Sequence, residues 1–370
     1  MATFTSSPVP AEAIAGARNL LVEAARVGVG DDLLLLVEPQ GADYYDDGMG
    51  AFIAAQAEAL GTRPRLLEVP TLLEVDEAPP WILNAIEQAD RTIFLARIGD
   101  QLRFQPLPGA GRKVMSYALD FGVLGSPFAT VPHALMVAVL ERLTARIRRA
   151  RHCTVTCAAG TRLTTPLEPS EASTPLDFTV STFPVMIVPP IPAGEASGTL
   201  VLSQALTSTY IHPYPDSILP LPTPLTLALQ LGEITGFDGA PHVVASARAQ
   251  FSRVRALLGG PELRVGSWHA GINPMTFFPR PALSDIDRWS GLVFGSPRYA
   301  HVHMGGPSPG QICGQIFDPT IAFDDDLLWR DGRLSFLDTP DITDLLAAHG
   351  LTPSAFAARQ DIGVAGLTIP

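Results

Sequence analysis

The chain has 370 residues, a net charge of −12, 46% apolar residues and 17% charged residues. That composition excludes global disorder and allows a large buried core, and the acidic balance argues against a nucleic-acid groove, which needs a basic footprint. The length predicts two or three domains.

The opening stretch Met1–Pro8 has neither the basic nor the apolar region of a signal peptide. No window reaches the roughly eighteen uninterrupted apolar residues of a membrane span. The nearest, Val131–Leu143, is broken by Pro132, His133 and Glu141. Cys153, Cys157 and Cys313 cannot all pair and form no C-x-x-C, which fits free thiols in a reducing compartment. These readings predict a soluble cytoplasmic protein with no membrane or nucleic-acid partner, and we expect a homo-oligomer.

Residues 11–27 carry Ile14, Ala15, Leu20, Leu21, Ala24 and Ala25 near a 3.6 period, which predicts an amphipathic helix. The run Leu33–Val37 reads as a strand buried on both faces. A helix over 47–60 follows, with Gly61 as its C-cap, then a strand over 65–69. A second helix (81–89), a third strand (91–98), a fourth strand (113–118) and a helix over 133–151 complete the first half. Alternating strands and helices predict a parallel sheet covered on both faces. Glu38-Pro39-Gln40-Gly41 stands where a dinucleotide-binding fold carries its glycine fingerprint, so the prediction is a Rossmann-like sheet without a dinucleotide. Ligand groups gather beyond the carboxyl ends of such strands, which makes Arg97 a candidate contact for an acidic substrate group; the alternative is a surface arginine.

Near residue 150 the texture changes to short β-rich pieces separated by proline and glycine. We therefore expect a Rossmann-like α/β domain over 1–150 and an α+β, metal-binding catalytic domain over 151–370. Pro189-Pro190 and the Pro220–Pro224 stretch predict loops or edges, because proline cannot donate to a sheet ladder. Gly232–Gly239 reads as a strand ending in a turn, and helix returns over 241–258.

Three of the eight histidines fall between Ser267 and Thr320. His301 and His303 are two apart in an apparent strand over 299–304, so both imidazoles leave one face, with Cα atoms roughly 6.6 Å apart. That suits two ligands on one metal ion. His269, before Gly271 and Asn273-Pro274, reads as a turn residue and a candidate third ligand from another segment; the alternative is a satisfied core histidine. Glu195, on the rigid loop Pro189–Glu195, is a candidate ligand or base. The loop I-H-P-Y-P-D offers His212, Tyr214 and Asp216, and the first two are candidate acid/base groups. Asp285 and Asp287 read as helix N-terminal or loop carboxylates, Asp318 in F-D-P-T as an Asx turn, and Asp324–Asp326 as a solvated turn. Zn²⁺ with three histidines and a water, or Fe²⁺ with open positions for O₂ and a chelating substrate, both fit this spacing.

The order P-x-G-E (192–195), G-T-L-V-L (198–202), G-x-I-T-G (232–236), H-x-G-x-N-P (269–274) and H-x-H (301–303) resembles the thermophilic metallo-aminopeptidase (aminopeptidase T) superfamily. It looks nearer to the branch containing 2,5-dihydroxypyridine 5,6-dioxygenase. The likeness spans about residues 160–320. From the dioxygenase branch it implies a mononuclear Fe²⁺ held by His269, His301 and His303. From the peptidases it implies Glu195 as a metal ligand and a two-metal hydrolytic site. His303 stands where the family has Asp, which removes one negative charge and weakens the two-metal case most. The expected function is ring opening of a small hydroxylated aromatic or N-heterocycle with O₂. A metallohydrolase of a small amide, using Zn²⁺ or Mn²⁺, and a non-catalytic binding protein are the alternatives.

Overall fold

The computed structural model describes residues 11–72, 78–103, 105–170 and 179–364, so the stretch read above for a leader lies outside the described residues. The chain divides into two compact units, Met1–Ala134 with Phe178–Pro184, and Leu135–Asp177 with Val185–Pro370. This division falls within the first turn of the helix His133–Ile147, and a short later piece returns to the first unit. Composition changes at residue 150, but which core receives a helix is a matter of packing, which composition does not encode. No helix among the described residues is long and apolar enough to cross a membrane.

The first unit is α/β. Strands β1 (Asp32–Val37), β2 (Arg63–Glu68), β3 (Arg91–Leu95) and β4 (Arg112–Ser116) join β7 (Ser181–Phe183) in a parallel sheet of order β2-β1-β3-β4-β7. The leucine run sits at its centre, with Leu33 to Leu36 buried as a strand covered on both faces must be. Gly61 ends the helix Met49–Ala59 at φ 81°, a left-handed conformation that glycine adopts without steric cost.

The first helix, Glu12–Arg18, widens over Asn19–Ala24, where Ala25 N–H reaches back five residues to the Leu20 carbonyl at 2.8 Å. Asn19 anchors the segment: its amide donates to the carbonyls of Ala129 and Val131, both at 2.7 Å, and its Oδ1 accepts from His133 N–H at 3.0 Å.

Burial, reinforced by Arg112 and Arg26, lowers the His133 imidazole from its ordinary 6.5 to about 4. Between those values the unfolded chain binds a proton that the folded chain does not, so stability falls as pH drops from 6.5 towards 4. The His133 share of that loss is about 3 kcal/mol. His133→Gln should flatten the acid limb of a stability–pH profile by that amount, and an unchanged limb would contradict the assignment.

The second unit is built on an eleven-stranded antiparallel sheet. Its strands are β5 (His152–Thr156), β6 (Arg162–Pro166), β8 (Ile191–Pro192), β9 (Ser197–Ser208), β10 (Leu219–Gln230), β11 (Glu233–Asp238), β12 (Val265–Ala270), β13 (Tyr299–Met304), β14 (Ile312–Phe317), β15 (Thr320–Phe323) and β16 (Asp326–Trp329). The order is β16-β15-β5-β6-β9-β14-β13-β12-β8, with β10 paired to both β9 and β11. The Pro220–Pro224 stretch lies inside a strand, not in a loop. There β10 pairs only with β9, its register shifts between Leu221 and Leu225, and the three prolines are exposed. An edge with a bulge is where missing N–H donors cost least. The predicted helix forms over Pro241–Leu258, with Pro at its first turn.

Candidate metal centre

Strands β12, β13 and β14 are neighbours, and their register builds the site. His269 lies directly across from His301, and His301 across from Gln315. One rank along, Ser267, His303, Cys313 and Thr207 align across β12, β13, β14 and β9. Paired residues of an antiparallel sheet share a face, so both ranks project to the same side. His269 is therefore a strand residue and not the turn residue expected from its neighbours. The turn begins just after it, where Asn273 Oδ1 accepts from Met275 N–H at 3.1 Å. Gly271 permits the crossing, because a Cβ there would lie 2.3 Å from the backbone of Gly295 and Ser296.

The three imidazoles meet in a buried cluster. His269 and His301 stack with ring centroids 5.1 Å apart, and His303 stands roughly perpendicular to both, at 5.1 and 4.9 Å. One ring nitrogen from each lies within 4.8 Å of the others. That spacing fits a single ion with Zn–N or Fe–N bonds of about 2 Å. Among the described residues this is the one group of three or more His, Cys, Asp or Glu side chains so disposed.

Nδ1 of His269 lies 2.9 Å from the Val188 carbonyl. A carbonyl only accepts, so Nδ1 carries the proton and Nε2 keeps the lone pair a metal needs. Burial also shapes the surroundings. Tyr299 shares the face of His301, with ring centroids 5.8 Å apart. Its phenol is pushed well above its usual range by burial and by Cys313, against a smaller opposing pull from a Gln315 hydrogen bond. It stays neutral and able to donate. The sequence reading missed Tyr299, Gln315, Thr207 and Thr209. Alternation in Tyr299-Ala-His-Val-His303 was signal enough for Tyr299; the others depend on register.

The remaining candidates are not members of the histidine group. Glu195 is exposed on the turn between β8 and β9 and lines a hollow of about 440 Å³ with Pro189–Pro192, and it is not in the histidine group. In the first unit, Arg97 makes a two-pronged ion pair with Glu38, down to 2.8 Å, beneath the ring of Tyr44. His212 Nε2 sits 3.1 Å from both carboxylate oxygens of Asp287, with Ser217 Oγ 3.4 Å from its Nδ1. Tyr214 donates to the Gln311 carbonyl at 3.0 Å, and Asp216 pairs with Arg253. Asp285 caps the helix Ile286–Val293, as its position predicts. Asp318 is not a simple Asx turn, since its carboxylate takes Arg298 in a two-pronged contact at 2.7 and 2.9 Å. In the acidic run, Asp324 accepts from the N–H groups of Arg151 and His152.

No family model and no curated protein sequence matches the chain. Solved structures do, two of them as follows. The 2,5-dihydroxypyridine dioxygenase from Pseudomonas putida KT2440 superposes with a TM-score of 0.53 at 16% identity, covering 88% of this chain and 98% of that one. Wild-type AmpT from Thermus thermophilus superposes with a TM-score of 0.51 at 13% identity, covering 87% and 98%. A parallel α/β unit, a large antiparallel sheet and these two likenesses converge on one statement: the chain has the fold shared by the dioxygenase and AmpT, the two branches its motifs resemble.

Proposed function

We propose that His269, His301 and His303 hold one divalent ion, Fe²⁺, and that the protein opens the ring of a small hydroxylated aromatic or N-heterocycle with O₂. The donor set carries this reading: three buried imidazoles with one ring nitrogen each within 4.8 Å, and no carboxylate among them. Three ligands on one side leave positions for O₂ and a chelating substrate. When bound, the metal supplies one-electron chemistry towards O₂ and polarises the oxygen donors of the ring. A two-metal hydrolytic site depends on carboxylates to hold and bridge its cations, and the group has none. The likeness to the dihydroxypyridine dioxygenase supports the substrate class.

The chain's own groups set the selectivity. Three uncharged imidazoles leave the full charge of the ion uncompensated in a buried setting, which favours a substrate that binds as an anion. The neutral Tyr299 phenol is placed beside His301 to donate a hydrogen bond to a substrate oxygen. His212, held by Asp287, is the candidate proton carrier.

A metallohydrolase is the second reading. Three histidines with an open position is also a catalytic zinc arrangement, and the AmpT likeness points the same way. Oxygen separates the two. Protein purified without air should contain iron and consume O₂ on dihydroxypyridines or aminophenols. Full zinc occupancy, with no iron-dependent O₂ uptake on any of them, would overturn the oxygenase reading, and amide hydrolysis indifferent to O₂ would establish the second.

A further inference from the structure

We infer that Thr209 is a positioning residue for the metal centre, holding His303 in the one protonation form that can bind a metal through Nε2. The inference rests on the metal reading of the three histidines. A threonine hydroxyl has one hydrogen to donate and lone pairs with which to accept. Thr209 Oγ1 is in short contact with the Gly310 carbonyl, which can only accept, so the hydroxyl hydrogen is committed there. His303 Nδ1 lies 3.0 Å from the same oxygen. With its hydrogen spent, that oxygen can only accept from the ring, so Nδ1 carries the proton and the lone pair is on Nε2. An unprotonated Nδ1 would set two lone pairs against each other at this distance in a buried site.

Cys313 Sγ flanks the pair, 3.4 Å from Nδ1 and 3.7 Å from Oγ1. It can share the Nδ1 proton as a weak acceptor or donate to the hydroxyl oxygen, both of which keep the Nδ1–H form. A thiol hydrogen given to Nδ1 instead would leave that nitrogen's lone pair 3.0 Å from the Thr209 oxygen, whose hydrogen is already on Gly310. The acceptor that commits Thr209 is itself fixed by backbone. Gly310 stands at φ 116°, with its N–H on the Pro307 carbonyl at 2.8 Å. A Cβ at Gly310 would lie 2.6 Å from Met304 N and 2.7 Å from the His303 carbonyl carbon. The same loop presses on β12, where a Cβ on Gly266 would lie 1.9 Å from the Pro309 oxygen. The backbone therefore positions Gly310, Gly310 orients Thr209, and Thr209 orients His303. His269 is held in the equivalent form by the Val188 carbonyl, so a side chain does for one ligand what the main chain does for another.

Hydrogen-bond partners behind metal-binding histidines are commonly worth about 10–100-fold in metal affinity. The test uses the full-length protein, with Co²⁺ as the probe, titrated in competition with a chelator. Thr209→Val keeps the shape and removes the hydroxyl; it should weaken Co²⁺ binding by about 10–100-fold and alter the visible absorption of the bound ion. Thr209→Ser restores the hydroxyl and should return both to near wild type. Nitrogen NMR of the metal-free wild type should show His303 with its proton on Nδ1. A proton on Nε2, a Val variant that binds Co²⁺ as tightly as wild type, or a Ser variant as weak as Val would each overturn the role of Thr209. A wild type with the Nδ1 proton in place that takes up no Co²⁺ would instead overturn the metal centre, and this role with it.

Discussion

His301→Ala should lower metal affinity by roughly 10²–10³-fold and leave the purified protein largely without metal. The magnitude follows from the roughly 10–16 kcal/mol with which four protein ligands bind a structural zinc ion, about 2.5–4 kcal/mol for each ligand removed. His301 is the suitable choice because it stands between the other two: it pairs across the sheet with His269 and lies two residues from His303 on the same face. The site is buried and already assembled by sheet register, so its loss should register in metal content before it registers in the fold. Glu195→Ala is the matched control. That carboxylate is exposed and outside the ligand group, so its removal should leave metal content unchanged. Metal analysis after dialysis, with chelator competition for the affinities, checks both. Unchanged metal in His301→Ala would remove the site assignment altogether.

Asp318→Asn should destabilise the second unit by about 3–5 kcal/mol, the usual cost of leaving a buried charge without its partner. The Asp318 carboxylate receives the Arg298 guanidinium in two-pronged fashion and a second guanidinium from Arg359 at 2.6 Å. The Arg298 side chain is only 4% exposed and that of Asp318 13%, so solvent cannot take over the charge. The pair also ties the ends of the strands that carry the site. Arg298 directly precedes β13, Asp318 directly follows β14, and Asp318 N–H donates to the Arg298 carbonyl at 2.8 Å. Denaturant unfolding measures the effect. A loss under about 1 kcal/mol would place this pair with ordinary surface ion pairs.

Local patterning accounts for most of what the fold shares with its expectation. The Leu33–Val37 run, the Gly61 cap, the Pro241 helix start and the β–α alternation of the first half are short-range signals, and each has its counterpart in the structure. The failures have one cause. Pro220–Pro224 reads as a loop because proline blocks a ladder, yet one free edge and a bulge accommodate all three prolines in β10. His269 reads as a turn residue because glycine and proline follow it, while its own position is a strand paired to His301.

The two-residue spacing of His301 and His303 by itself determined that two imidazoles leave one face, because strand side chains alternate with period two. It also determined Tyr299 as their neighbour on that face. Only the tertiary structure decided which residues face them from other strands: His269 from β12, Cys313 and Gln315 from β14, Thr207 from β9, and Thr209 just beyond that strand's end. The reason is physical. Alternation is a property of one strand and can be read along it, whereas register joins residues of different strands, from ten (His303 and Cys313) to about a hundred (Thr207 and Cys313) positions apart. It is set by bulges and close backbone crossings, such as Gly266 on Pro309, that no local pattern announces.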